Sequence, residues 1–175
     1  SLRPGQLTAY PHNDSIHSVT HASEIWVGTQ SSGIYYAYNG QFTTNYWARD
    51  ELNNDAILRF DGWSEGVNQN SVLKTENHCY YFINSAFFEI GQTILSSRQG
   101  QKCLDVAMNP SGHIYASYKT GVEHTDEKGT WQASIDIEDI SQMKSVNGSM
   151  YGWSDSGTLY NLDQQEPFIL RSSTS

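Results

Sequence analysis

A short unit recurs along this chain, and it limits the architecture more than any other feature. Each copy has a polar lead, an apolar-aromatic run, a Gly/Ser/Asn turn, and a second apolar run. The clearest copy is Glu24-Ile25-Trp26-Val27-Gly28-Thr29, the turn Gln30-Ser31-Ser32-Gly33, then Ile34-Tyr35-Tyr36-Ala37-Tyr38. A second is His113-Ile114-Tyr115-Ala116-Ser117 followed by Lys119-Thr120-Gly121-Val122. A third is Ser149-Met150-Tyr151-Gly152-Trp153 followed by Asp155-Ser156-Gly157-Thr158-Leu159-Tyr160. A degenerate copy is Cys79-Tyr80-Tyr81-Phe82-Ile83 with Asn84-Ser85-Ala86-Phe87-Phe88. Runs this short suit strands, and tight turns between them make hairpins.

Subtracting residue numbers puts the anchors Trp26, Tyr81, Tyr115 and Tyr151 at intervals of 55, 34 and 36. Hairpin units repeating at roughly 35–50 residues are the pattern of propeller blades. The expected fold is therefore all-β, a small β-propeller-like domain of about four blades, forming one domain over residues 1–175. An ordinary sandwich with look-alike hairpins is the alternative. The long first interval reads as an inserted polar loop from Tyr46 to Asn70, carrying one strand at Ala56-Ile57-Leu58-Arg59-Phe60. The one stretch with a weak helical period runs from Ile135 to Met143.

Composition agrees with strands. Aromatics reach 13%, with 11 Tyr, 5 Trp and 6 Phe, and charged residues only 17%. The formal net charge of -9 repels phosphate backbones, which argues against nucleic acid as a partner. No apolar run approaches the ~20 residues of a helical membrane span, so membrane insertion is not expected. Cys79 and Cys103 each adjoin apolar residues and read as buried strand positions. Whether they pair is left open by the sequence.

Ile25-Trp26-Val27-Gly28-Thr29 followed by Gly33-Ile34-Tyr35 resembles a blade of the regulator-propeller type. Gly121-Val122-Glu123-His124-Thr125-Asp126-Glu127-Lys128-Gly129-Thr130-Trp131 is similar to the Asp-box hairpin of sialidase-like propellers. That resemblance implies that Asp126 braces the turn through backbone N–H groups and that Trp131 packs beneath it. His124 and Lys128 depart from the pattern, which usually has Ser and Gly there. Such boxes are structural and imply fold rather than activity.

Catalytic constellations do not stand out. Glycoside hydrolysis needs two carboxyls across a sugar ring, and no pair is singled out. Arg3, Arg49, Arg59, Arg98 and Arg171 are scattered rather than clustered as a sialidase requires. His17 and His21 have a helical metal spacing, but Ser18-Val19-Thr20 favours a strand that would hold them apart. Two acidic segments, Asp50-Glu51-Leu52-Asn53-Asn54-Asp55 and Ile135-Asp136-Ile137-Glu138-Asp139, offer hard oxygen ligands. They make Asp50, Asp55, Asp136 and Asp139 the candidate ligands for calcium. Tyr46, Trp47 and Trp63 sit in stretches that read as polar loops, and are the candidate receptor-binding residues. Asn13-Asp14-Ser15 and Asn147-Gly148-Ser149 match the glycosylation triplet.

The acidic balance, the aromatic and Asn/Ser/Gly-rich blades and the start at Ser1 without Met together resemble the spike receptor-binding domains of corticoviruses, the marine membrane-containing bacteriophages. The resemblance implies a non-enzymatic host-attachment domain, the C-terminal part of a longer spike, dependent on calcium. Its partners would be a bacterial cell-surface receptor, with glycan as one candidate, and the capsid vertex. The expected location is the virion surface, in an extracellular setting. The rival readings are a secreted carbohydrate-active enzyme or its lectin-like accessory module, and a sensor propeller at a bacterial envelope.

Overall fold

The computed structural model describes residues 16–21, 25–29, 34–38, 41–42, 55–65, 68–83, 86–90, 100–125, 130–131, 135–164 and 166–168. Among these residues there is no helix. Four antiparallel sheets follow one another along the chain, each a meander of consecutive strands. The first holds β1 (Ile16–His21), β2 (Ile25–Thr29), β3 (Ile34–Tyr38) and β4 (Gln41–Phe42). The second holds β5 (Ile57–Glu65), β6 (Asn68–Thr75), β7 (Cys79–Ile83) and β8 (Ala86–Glu89). The third holds β9 (Asp105–Met108), β10 (Ile114–Tyr118) and β11 (Gly121–His124). The fourth holds β12 (Ile140–Val146), β13 (Ser149–Ser154), β14 (Leu159–Asn161) and β15 (Glu166–Phe168). Each sheet is one blade of the kind the sequence repeat describes, and the fold class is all-β and propeller-like. The chain falls into two compact units, residues 1–87 and 88–175.

Every hairpin read from the repeat is present. Trp26 of β2 faces Tyr36 of β3, Ser117 of β10 faces Val122 of β11, and Trp153 of β13 faces Leu159 of β14. His17 and His21 lie in β1, as the β-branched residues between them suggest. Two readings need correction. The Tyr46–Asn70 stretch is not one inserted loop, because β5 and β6 pair there from Ile57↔Thr75 to Glu65↔Asn68. This hairpin carries Asp61, Gly62, Ser64, Gln69 and Asn70, residues whose intrinsic strand preference is low. Pairing overrides that preference. It also explains the long interval: Tyr81 lies on the third strand of its sheet, while the other anchors lie on the second. The weak helical period at 135–143 is likewise a strand signal in part. Residues 136–139 are irregular and β12 begins at Ile140.

In the first unit, β1 and β2 pack against β5. Ile34, Tyr35, Ile57, Val72 and Leu73 are almost fully buried there. Ser71–Thr75 of β6 are buried on both faces, as a central strand flanked by β5 and β7 requires. Neither Cys79 nor Cys103 is a free thiol, and both are disulfide-bonded, which closes the question the sequence leaves open.

In the second unit, β12 packs against β9 and β10. The core there is Ala107, Tyr115, Val122, Ile135, Ile140, Met143, Met150 and Leu162, with Ile137 and Tyr160 against it. Burying each large side chain of this set contributes ~1.5–3 kcal/mol before chain entropy is counted. Among the described residues no full strand lies outside β11. Ile135 instead exchanges two backbone hydrogen bonds with Val122, at 2.9 and 2.7 Å. A second bridge joins Thr125 to Trp131 and closes the hairpin that resembles an Asp box. Trp131 is half-buried, less than a plug beneath the turn would be, and its indole Nε1 is buried. Asp126 lies outside the described residues.

β13 shows how tightly the fourth blade packs on itself. Its burial alternates strictly, with Met150, Gly152 and Ser154 inward. A Cβ on Gly152 would stand 2.8 Å from Ile140 Cγ2 and 3.1 Å from Leu162 Cδ1, so only glycine fits without displacement. Gly152→Ala should destabilise the fold by ~1–3 kcal/mol, the usual cost of overpacking. Urea unfolding should show a lower midpoint, and an unchanged midpoint would contradict this packing.

Candidate functional site at the blade ends

Asp55 lies two residues before the first residue of β5 and is buried at 9% exposure. Its Oδ2 accepts hydrogen bonds from Thr75 Oγ1 at 2.8 Å and from the Asn77 backbone N–H at 2.9 Å. The Asn77 side-chain amide donates to Oδ1 at 2.9 Å, and His78 Nδ1 lies 2.6 Å from Oδ2. The turn 76–78 between β6 and β7 is thereby tied to the base of β5. The Glu76 N–H donates to the Ala56 carbonyl, and the His78 N–H donates to Thr75 Oγ1. Burial alone would raise the Asp55 pKa, but the hydrogen bonds from Asn77, His78 and Thr75 outweigh it. The pKa falls to about 2.

Asp55 is therefore a brace and not an open calcium ligand. Both of its oxygens are already engaged by donors, and a cation would have to displace them. Asp136 and Asp139 are exposed on the irregular connector before β12. Asp139 adopts φ 55° and its N–H donates to the Lys119 carbonyl at 3.1 Å. A short polar side chain tolerates that left-handed turn conformation, which gives Asp139 a local structural role. Asp50 lies outside the described residues. Among the described residues no three His, Cys, Asp or Glu side chains gather as a metal ion requires.

The receptor-binding candidates divide in the same way. Tyr46 and Trp47 lie outside the described residues. Trp63 belongs to β5, paired with Asn70, and not to a loop as its polar neighbours suggest. Long polar hairpins hide strand positions from a hydrophobicity pattern, because one or both of their faces do not need apolar side chains.

Two other acids carry comparable roles in the second unit. Asp105 opens β9 at 4% exposure, and its Oδ2 accepts the Met143 backbone N–H of β12 at 2.6 Å. Asp163, after β14, accepts the Tyr115 hydroxyl at 2.8 Å through Oδ1 and the Met150 N–H at 3.0 Å through Oδ2. Burial, the hydrogen bond to Asp163 and the negative charge of Asp163 all push the Tyr115 pKa upward. Tyr115 also stacks on His124, its partner across β10 and β11, with ring centroids 5.4 Å apart. None of Thr75, Asn77, His78, Asp105, Tyr115 or Asp163 is a site residue by sequence pattern. The only available signal is a polar residue directly beside an apolar run.

The described turns of the second unit carry exposed polar groups at both ends of its strands. In the second unit one end presents Lys119 and Thr120 of the β10–β11 turn, Asp139, and the Asp155-Ser156-Gly157 turn, all exposed. The last turn is internally closed: the Gly157 N–H donates to the Ser154 carbonyl, and the Thr158 N–H donates to Ser154 Oγ. The opposite end presents Asn147 and Gly148, with the Asn109 side chain closing the β9–β10 turn through the Ser111 and His113 N–H groups. Such ends offer hydrogen-bonding groups on rigid hairpins.

No family model matches the chain, and no curated protein matches it. Solved structures do. The chain is similar to the extracellular domain of a hybrid two component system, BT4673, from B. thetaiotaomicron, at 15% identity and TM-score 0.62, covering 91% of this chain and 24% of that one. It is similar to YCF48 from Cyanidioschyzon merolae, at 13% identity and TM-score 0.56, covering 94% of this chain and 59% of that one. It is also similar to BBS1N in complex with ARL6DN, at 15% identity and TM-score 0.54, covering 82% and 49%. At such identities the likeness shows the propeller-like fold alone. The chain spans about a quarter of the length of the two-component domains and about half that of the others.

The Asp55 brace yields a pH dependence. The folded pKa of about 2 lies below the ordinary 3.8, so the stabilisation is full above about 3.8 and fades as pH falls toward 2. Asp55→Ala should cost on the order of 2–4 kcal/mol at neutral pH, since four donors lose their acceptor. The difference between wild type and variant should shrink as acid titration passes from pH 4 to about pH 2. A difference that stays constant across that range would contradict the brace.

Proposed function

We propose that this chain is a non-catalytic recognition domain, the host-attachment part of a virion spike that engages a bacterial cell-surface component. The observation that carries the reading is the use of the buried acids. Asp55 and Asp105, which could otherwise supply chemistry, are spent holding backbone N–H groups and turns in place. The blades are then rigid supports, and the exposed turns are where a ligand can meet them. The resemblance to corticovirus spikes supplies the particle and the host, and a surface glycan is the ligand class to test first. An extracellular location agrees with the disulfide and with the extracellular origin of several fold relatives.

One observation favours a second reading. The fold relatives from B. thetaiotaomicron are extracellular domains of one- and two-component systems, which suits a sensor propeller at a bacterial envelope. Other relatives are described in complexes, YCF48 with a D1 peptide and BBS1N with ARL6DN, so recognition is a common use of this fold.

Adsorption assays test the proposal. Many copies on one particle supply avidity, so a weak single-site affinity suffices. The domain, displayed in many copies on beads, should bind susceptible bacteria and spare resistant mutants. Free domain in excess should slow virion adsorption, and Trp63→Ala or Trp47→Ala should weaken that effect in a folded protein. Folded domain that neither binds cells nor slows adsorption contradicts attachment. Glycan hydrolysis by the same protein would establish the enzyme reading in its place.

A further inference from the structure

The β12–β13 hairpin turns through two residues, Asn147 and Gly148, between the last ladder pair Val146↔Ser149. Their φ values of 50° and 86° are those of a type I′ turn, which the strand twist favours and which Asn-Gly suits best. Both residues are exposed, and nothing lies within 4 Å of the place where a Gly148 side chain would be. The residue pair that makes this two-residue turn is thus also open to solvent.

We infer that Asn147 is a self-modification site, at which the side-chain amide is lost and an aspartyl or isoaspartyl residue forms. The step needs only water. The Gly148 backbone nitrogen attacks Asn147 Cγ, a Cγ–N bond forms, and the Cγ–Nδ2 bond breaks. Ammonia leaves, taking up the proton that Gly148 nitrogen loses. Water then opens the five-membered imide at either carbonyl, giving Asp or isoAsp with one additional negative charge. Attack is sterically open because Gly148 has no Cβ.

Among the other described Asn–X pairs, Asn68-Gln69 and Asn70-Ser71 lie in the extended, paired strand β6 and not in a turn, and three more lack this combination. Asn109 precedes Pro110, which has no N–H to lose. The N–H of His78, after Asn77, is held by Thr75 Oγ1. The N–H of Leu162, after Asn161, is held by the Met150 carbonyl in a buried position. Asn39-Gly40 lies outside the described residues and is resolved separately in a peptide map.

The two products differ in consequence. Asp at position 147 keeps the backbone and tolerates the left-handed conformation, so the hairpin survives. IsoAsp inserts an extra methylene into a two-residue turn, which cannot then hold Val146 opposite Ser149. Ageing at this tip thus loosens the hairpin whose far strand supplies Met150 to the core.

The test is an ageing series on the purified folded chain at mildly alkaline pH, read by peptide mapping with fragmentation that separates Asp from isoAsp. The urea-unfolded chain serves as the control for intrinsic chemistry. Expected is a one-dalton gain at Asn147 with both products, and no gain at Asn77, Asn109 or Asn161. Gly148→Ala should slow the gain several-fold. As that variant is strained at positive φ, Asn147→Asp gives an independent check: it should match the aged Asp form chromatographically and retain the fold. A folded chain that stays unmodified at Asn147 while the unfolded control converts overturns the inference. So does conversion at the three shielded asparagines at the same rate.

Discussion

The Asp105 carboxylate accepting the Met143 N–H is the interaction on which the second unit's packing turns. A four-stranded meander has two faces and cannot cover either by itself, so each blade relies on a neighbour. β9 and β12 are the strands that meet, and Asp105 places a buried carboxyl group in their contact, where a backbone donor binds it. A buried carboxylate without such a donor would be strongly destabilising. With it, the register between the two blades is set at one residue. The apolar cluster around Ile140, Met143 and Met150 packs with Ala107 and Tyr115 of the neighbouring blade, and within its own blade Ile140 and Leu162 leave no room for a Cβ at Gly152.

The same logic recurs in the first unit with different residues. Asp55 gathers Thr75, Asn77 and His78 and fixes a turn rather than a blade contact. Asp55, which the sequence offers as a cation ligand, is a hydrogen-bond hub because the backbone of a short turn has donors that no ladder satisfies. Asp55 and Asp105 thus serve the architecture of their units. The disulfide adds covalent restraint of the kind found where the surroundings are oxidising.

Much of the fold is legible in the residues. The Trp26, Tyr115 and Tyr151 hairpins follow from apolar runs broken by Gly-rich turns, and the structure has them as β2–β3, β10–β11 and β13–β14. The start of β5 is legible as the strand at residues 56–60, but the rest of the β5–β6 hairpin is not, because Asp61, Gly62, Ser64, Gln69 and Asn70 carry no apolar alternation for a pattern to detect. The braces are less legible still. Asp55 and Asp105 sit beside apolar runs like any surface acid, and only the three-dimensional position of Asn77 or Met143 reveals what each holds. Trp63 shows the opposite error, since a Trp among polar residues reads as a loop anchor until its cross-strand partner Asn70 is known.

The central claim is that buried acids lock the blades through backbone donors. Amide hydrogen exchange at Met143, compared between wild type and Asp105→Ala, tests it most directly. In the wild type this N–H is bound to a buried carboxylate and should exchange only in globally open molecules. The variant should lose protection at Met143 and its β12 neighbours before Tyr118 of the fully buried β10 is affected. Equal protection of Met143 in both proteins would contradict the account.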